Sequence, residues 1–377
     1  MANKITDRIT QDKLSAIVYS IFDLTKKESV FIFLLAIFLF ISGIVSPYPG
    51  IAMWFGFALA GYSAIANDSI QTIGTFIASN QQRKWYWLWL FIGLIFVATV
   101  TYSWIVYEGD VSYQRLTSKG FSEAPTSFSF LQLSAPIFLL ILTRMRMPVS
   151  TTFLLLNVFS TNASAIFSVI EKSLIGYALA FITAIIVWFL VGFFVKKYFT
   201  GKASRFWNWF QWITSGALWS VWIQQDAANI AIFLPRSLSL YQFLAFTLFI
   251  FLGLGILFYL KGDKIQKIVT EKSGVTDVRA ATIVDLIYAC LLFYFKVLNT
   301  IPISTTWVFI GLLGGRELAI SFTKRRAKKR NKSLKQSLKM VGRDLGYATI
   351  GLVISLILAI AINPSIREEV MNILFKY

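Results

Sequence analysis

Two aspartates stand in strongly apolar sequence, each beside amide side chains. Asn67-Asp68-Ser69-Ile70-Gln71 has a counterpart in Gln225-Asp226-Ala227-Ala228-Asn229. An aspartate at the centre of a membrane helix costs about 2.5 to 3.5 kcal/mol on insertion scales, so each is expected to be paired, protonated or bound to a cation. Their oxygens can replace the water shell of a cation. We therefore predict cation binding by Asn67, Asp68, Gln71, Thr72, Gln225, Asp226 and Asn229.

A second pattern follows each aspartate motif, as Pro148-Val149-Ser150-Thr151-Thr152 and as Pro302-Ile303-Ser304-Thr305-Thr306. Proline suits the first turn of a helix, and the hydroxyls and unpaired backbone N–H groups of such a start favour an oxyanion. Serine and threonine also bond back to their own backbone, which is the structural alternative. Because the pattern occurs twice, we predict anion binding by Ser150, Thr151, Thr152, Ser304, Thr305 and Thr306.

The composition identifies the class of protein that must position these residues. Hydrophobic residues make up 56% of the chain and charged residues only 14%, which predicts a polytopic membrane protein. The single cysteine, Cys290, excludes an internal disulfide, and the lack of histidine excludes histidine ligands and Ser-His catalysis. We find no nucleotide-binding motif and no nucleophile or metal constellation, so we predict no enzyme activity and no cofactor.

Runs of about twenty apolar residues predict the transmembrane segments. Eleven are expected, at about 30–46, 50–79, 86–107, 128–143, 148–170, 174–195, 212–235, 240–260, 280–299, 302–322 and 344–362. The predicted fold is therefore all-α. Five segments in each of two copies would invert the second copy, as in inverted-repeat transporters. Alternatively, segments four and five, and nine and ten, form re-entrant hairpins whose tips carry the Ser-Thr-Thr motifs.

Basic residues on alternate connections set the predicted orientation. The net charge is +18, and the basic connections are 1–29, 80–84, 144–146, 196–205, 261–279 and 324–343. The N-terminus is thus predicted to be cytoplasmic, with anionic lipid rather than nucleic acid as the partner of the basic stretches. The outer connection 108–129 is expected to be an unstructured loop, with a lid as the alternative. Expected units are a cytoplasmic segment 1–29, repeats 30–170 and 171–322, a basic loop 323–343, and a final helix with its tail, 344–377.

Four further charged residues lie in or beside apolar segments. Asp285 is predicted to be a second-rank site residue or a buried partner for a donor on a neighbouring helix. Lys296 is expected to extend toward the outer surface more readily than to bind substrate. Arg144 and Arg146 directly precede the first Ser-Thr-Thr motif, as cytoplasmic anchors or, in a hairpin, as anion-binding groups.

The ordered set of four motifs resembles the inorganic phosphate transporter family, the cation-coupled phosphate permeases. That family carries a Gly-Ala-Asn-Asp-Val-Ala-Asn-Ala type motif and a Pro-Val-Ser-Thr-Thr-His type motif in each of two inverted halves. The chain departs from this pattern at Gln225, where the family has asparagine, and at Phe153 and Trp307, where it has histidine.

The resemblance implies symport of phosphate with Na⁺ or H⁺ by alternating access. It assigns the aspartates and amides to cation sites and the helix starts to the anion. Sulfate or another oxyanion, and an uncoupled anion channel, remain alternatives. The protein is expected in the cell (inner) membrane, with the possibility of a homo-oligomer left open.

Overall fold

The computed structural model describes residues 28–145, 147, 149–160, 163–198, 201, 203–260, 277–295, 303–323 and 327–374. These residues contain no β-strand and form twelve α-helices, numbered here in chain order. The helices are α1 Ser29–Val45, α2 Pro49–Ser79, α3 Trp85–Val106, α4 Arg115–Ser118, α5 Phe130–Arg144, α6 Ala163–Tyr198, α7 Arg205–Ala231, α8 Leu240–Tyr259, α9 Val278–Phe293, α10 Thr305–Phe322, α11 Ala327–Ile362 and α12 Pro364–Leu374.

Long apolar helices dominate this architecture. Within the described residues, five stretches are long and apolar enough to cross a membrane: Pro49–Asp68, Trp85–Val106, Ala163–Val191, Leu240–Tyr259 and Lys328–Ile362. Helices α1 and α5 are apolar but shorter. The five longer stretches have lengths that suit a hydrocarbon layer about 30 Å thick. The chain is therefore an all-α polytopic membrane protein, as its composition predicts.

The segment from α5 to residue 159 is a hairpin. After α5 the chain turns back through a π-helical turn, Thr152–Leu156, and a 3₁₀ turn, Asn157–Phe159. The two ends of the segment meet, because the Gln132 amide donates to the Val158 carbonyl at 3.2 Å. This geometry matches the re-entrant alternative. Within the described residues of the predicted fifth segment, 149–160 and 163–170, the chain forms no separate span. Helix α6 begins at Ala163 and includes the predicted sixth segment.

The second motif starts the returning arm of another hairpin, formed by α9 and α10. The Tyr288 hydroxyl on α9 donates to the Thr305 carbonyl at the start of α10, at 3.0 Å. Helix α10 then packs closely along α6. A Cβ on Gly315 would lie 2.2 Å from the Phe181 carbonyl oxygen, so only glycine permits this approach.

Helix α11 shows that the two hairpins enter from opposite ends of the molecule. Near its beginning, Ser333 hydrogen bonds at 2.8 Å to Ser321 at the open end of the α9–α10 hairpin. Just beyond its last residue, the Asn363 amide donates at 2.7 Å to the carbonyl of Ser160, at the open end of the α5 hairpin. The tips of the two hairpins therefore approach each other in the interior.

Two connections are more ordered than the sequence suggests. The predicted basic loop 323–343 is helical from residue 327 onward, as the first part of α11. The connection 108–129, predicted to be an outer one, is bonded to the segment between α7 and α8. There the Leu238 amide donates to the Gly109 carbonyl at 2.9 Å, and the Trp104 indole donates to the Leu238 carbonyl at 2.8 Å. The expectation of an unstructured loop is therefore wrong for residues 109–120, whose backbone groups have fixed partners, and residues 121–129 have no regular secondary structure.

Candidate functional site

Both predicted aspartates lie in the interior, each against the Ser-Thr-Thr motif of its own half. The Thr151 hydroxyl donates to Asp68, and the Thr305 hydroxyl donates to Asp226 at 2.5 Å. Each aspartate is only 1% exposed. A buried carboxylate needs such donors, because an unsatisfied charge in an apolar interior is very unfavourable.

The amide preceding each aspartate also has an equivalent partner in the two halves. The Asn67 amide donates to the Val149 carbonyl at 2.8 Å and to Asp68 at 2.5 Å. The Gln225 amide donates to the Ile303 carbonyl at 3.1 Å. Val149 and Ile303 each stand directly before the serine of their motif. Each amide thus ties an aspartate helix to a hairpin tip.

Asn229 connects the two halves of the site. Its amide nitrogen lies 2.8 Å from Asp226, 2.9 Å from the Thr151 hydroxyl and 3.2 Å from the Thr152 hydroxyl. A second link joins the tips, since the Thr306 hydroxyl donates to the Val149 carbonyl at 3.3 Å. A continuous polar network therefore runs from Asp68 through Thr151 and Asn229 to Asp226.

One oxygen of this network is available as an acceptor. The side-chain oxygen of Asn229 is buried and accepts no hydrogen bond from the described residues. A buried amide oxygen usually has a donor, so this oxygen is available to a water molecule or a ligand. Amide and carboxylate oxygens are the ligands that hard cations prefer.

The serines of the two Ser-Thr-Thr motifs accept hydrogen bonds from backbone amides, whereas the threonines donate hydrogen bonds. The Ser150 hydroxyl accepts from the Phe153 amide at 3.2 Å, and the Ser304 hydroxyl accepts from the Trp307 amide at 3.3 Å. Both are cap bonds at the start of a helical turn. The predicted anion set therefore divides into the capping serines, three threonines that donate to an aspartate (Thr151, Thr152 and Thr305), and Thr306, which donates to a backbone carbonyl. These residues and most of the predicted cation residues form one cluster.

Two residues predicted to bind a cation are peripheral. The Thr72 hydroxyl bonds back to the Asp68 backbone carbonyl at 3.0 Å. The Gln71 amide reaches only the Asn67 side chain, at 3.4 Å. Neither side chain donates to a carboxylate.

The sequence reading missed two cationic side chains. Arg115, on the single turn α4, is 2% exposed and donates to the Gln225 side chain beside Asp226. Lys119 is 9% exposed, and both cations interact electrostatically with Asp226. Burial lowers the pKa of Arg115 to about 10, so its guanidinium remains charged at neutral pH. No motif marks them, since the charges of this connection are mixed.

The second-rank residues lie outside the cluster or outside the described residues. Asp285 accepts hydrogen bonds of 2.5 Å from Thr75 and from Ser215, which places it between α2 and α7. Arg144 pairs with Glu28 at 2.5 Å and is 37% exposed, as expected of an anchor. Arg146 and Lys296, like the prolines of both motifs, lie outside the described residues.

Comparison with known proteins agrees with the overall fold. A solved structure titled "The sodium-dependent phosphate transporter" matches 82% of this chain and 98% of that chain, with a TM-score of 0.52 and 17% sequence identity. The chain has the fold of that transporter. No family model matches the sequence, and no curated protein matches it.

Proposed function

We propose that this protein is a cation-coupled oxyanion symporter of the cell (inner) membrane, with phosphate as the first-choice substrate. The observation that carries the proposal is the pair of equivalent bonds from Thr151 to Asp68 and from Thr305 to Asp226. They place a carboxylate, which attracts a cation, directly against a helix start, which favours an anion. The two ions would thus bind in contact.

The order of binding follows from the hydroxyl hydrogens. In the structure, Thr151 and Thr305 each donate their single hydroxyl hydrogen to a carboxylate. A cation bound to the carboxylate oxygens competes for the same lone pairs. The hydroxyl hydrogens are then free to turn toward an oxyanion. We therefore expect the cation to bind first and to create the anion site.

We also propose that the chain consists of two inverted repeats, about 30–170 and 171–322. Support comes from the equivalent amide bonds of Asn67 and Gln225 and from the opposite entry of the two hairpins. Alternating access would then be a movement of one repeat relative to the other about the shared network. Empty carrier would switch slowly, because a bare aspartate in an occluded core is unfavourable.

The coupling ion and the anion are the finer parts of the proposal. Na⁺ is favoured over H⁺, because the matching structure is titled as sodium-dependent and the Asn229 oxygen suits a metal cation. Sulfate or another oxyanion is the second candidate for the substrate, since hydroxyls and helix dipoles do not distinguish protonation states. An uncoupled anion channel would not need both buried aspartates.

Uptake of labelled phosphate into proteoliposomes containing the purified protein tests the function. The assay is run with an inward Na⁺ gradient, with an inward proton gradient and with neither, and with sulfate as competitor. We expect uptake above equilibrium with the Na⁺ gradient alone. Phosphate accumulation that does not depend on either gradient would contradict coupling. Accumulation of sulfate instead of phosphate would retain the mechanism and replace the substrate.

A further inference from the structure

The outer connection carries cationic side chains into the interior at only one of the two equivalent aspartates. Arg115 donates to Gln225, which precedes Asp226, and the buried Lys119 interacts electrostatically with Asp226. The two side chains are termed here the tethered cations. Among the residues that the structure describes, no lysine or arginine takes the same place beside Asp68, whose electrostatic neighbour is Asp226. Two aspartates with equivalent threonine partners therefore differ in their charge environment.

The tethered cations are held in place by the outer connection itself. Asp110 accepts hydrogen bonds from the Ser112 and Gln114 amides, at 2.7 and 2.5 Å, just before α4 begins. The Tyr113 hydroxyl donates to the Thr99 carbonyl on α3 at 2.7 Å. Tyr113 and Gln114 both have positive φ, of 55° and 57°, a conformation that persists only where the surroundings fix it.

The same connection is attached to the end of the helix that carries Asp226. The guanidinium of Arg236, which follows α7, donates at 2.8 Å to the Phe121 carbonyl and at 2.8 Å to the Glu123 carbonyl. Together with the bond from the Leu238 amide to the Gly109 carbonyl, these bonds connect the segment after α7 to both sides of α4. Arg115 therefore has a fixed position relative to Asp226.

We propose that the tethered cations occupy the role of a coupling ion at Asp226, so that only Asp68 binds a dissociable cation. This inference rests on the proposed function. A fixed guanidinium compensates a buried carboxylate as a metal ion does, but it cannot leave with the substrate. The protein would then couple each anion to one fewer cation than a site with two open aspartates.

The removal of the tethered cations should therefore open a second cation site. In the double variant Arg115→Gln with Lys119→Gln, Asp226 keeps its bonds from Thr305 and Asn229 but loses the compensating charge. A buried carboxylate in that situation is neutralised by a new cation or by a proton, and the sodium count distinguishes the two. Sodium is available in the assay, and the Asn229 oxygen lies on the same side chain that contacts Asp226.

Equilibrium binding of radioactive Na⁺ to the purified full-length protein tests this without any transport. We expect the native protein to bind one ion per chain, and Asp68→Asn to abolish that binding. The double variant should bind a second ion, which the added substitution Asp226→Asn removes. Arg115→Lys, which keeps the charge, should retain the count of one. Retention of the Asp68 ion in the double variant shows that it is folded.

Several results would overturn the inference. They are two ions in the native protein, no second ion in a double variant that still binds the first, and no sodium binding by either protein. The phosphate uptake assay fails or succeeds separately. If the native protein binds one ion but takes up no phosphate, the proposed function is refuted and the inference is not. If the native protein binds two ions and shows coupled phosphate uptake, the inference is refuted and the proposed function is not.

Discussion

The amide of Asn229 on α7 lies 2.9 Å from the hydroxyl of Thr151, at the tip of the opposite half's hairpin. Thr151 in turn donates to Asp68. The two aspartates are thus linked through Thr151 and Asn229, so a substitution or an ion bound at one aspartate can alter the hydrogen bonds of the other. Residues linked in one hydrogen-bond network generally show non-additive effects.

Asn229→Ala should disrupt this link and abolish coupled uptake. The substitution removes the donor to Asp226, Thr151 and Thr152. A buried group left without its partner costs about 1 to 3 kcal/mol. Uptake of labelled phosphate under a Na⁺ gradient, compared at equal amounts of reconstituted protein, measures the effect. Gln71→Ala is the matched control, because that amide makes only a 3.4 Å contact. Equal losses in both variants would contradict the assigned role of Asn229.

Thr151→Val should weaken anion binding while preserving shape. The hydroxyl that a bound cation releases from Asp68 is the donor proposed for the oxyanion, and hydrogen bonds to charged groups contribute about 1.5 to 3 kcal/mol. The half-saturating phosphate concentration is therefore expected to rise about tenfold or more. Thr151→Ser keeps the hydroxyl and should remain close to the native value. Thr305→Val and Thr305→Ser form the equivalent pair at Asp226. If valine and serine variants behave alike, the hydroxyls do not bind the anion.

Asp285→Asn should affect stability more than transport. Its carboxylate receives the Thr75 and Ser215 hydroxyls and fastens α9 to α2 and α7. Thr75 lies two turns from Asp68, about 10 Å along the helix axis. We expect a lower melting temperature with an unchanged half-saturating phosphate concentration. A large change in that concentration at unchanged melting temperature would place Asp285 in the transport site.

Gly315→Ala should force α10 away from α6. The added Cβ would meet the Phe181 carbonyl at 2.2 Å, so the helices must separate and the hairpin tip must shift. Gly346→Ala on α11 is the control, because nothing lies within 4 Å of its added Cβ and alanine favours the helix by up to about 1 kcal/mol. Melting temperatures of the two variants should therefore move in opposite directions. A Gly315→Ala protein as stable as the native one would contradict the tight α6–α10 contact.

Sequence reasoning found the parts of the site that have a repeated pattern. Asp68 and Asp226 are marked by charge in apolar sequence, and Thr151 and Thr305 by a motif that occurs twice. Their apolar surroundings also predicted the helices. The pattern could not show that the threonines contact the aspartates, because residues 68 and 151 meet only through the folding of the α5 hairpin.

The parts that were missed depend on long-range packing. Arg115 lies in a connection of mixed charge, and its burial follows from contacts between residues 109 and 238 that no local pattern encodes. Likewise, the first part of α11 is basic and resembles a loop by composition, but its serines pack against Ser321. Tertiary contacts overrode the local signal in both places.

Sodium-driven phosphate uptake by the double variant Asp68→Asn with Asp226→Asn tests the central claim most directly. Asparagine keeps the shape of each side chain but removes the charge that a cation must neutralise. The account predicts that this protein reaches the membrane, keeps its helical circular dichroism spectrum and shows no uptake driven by the Na⁺ gradient. Robust sodium-driven accumulation of phosphate by the double variant would contradict the proposal that the two aspartates couple the ions.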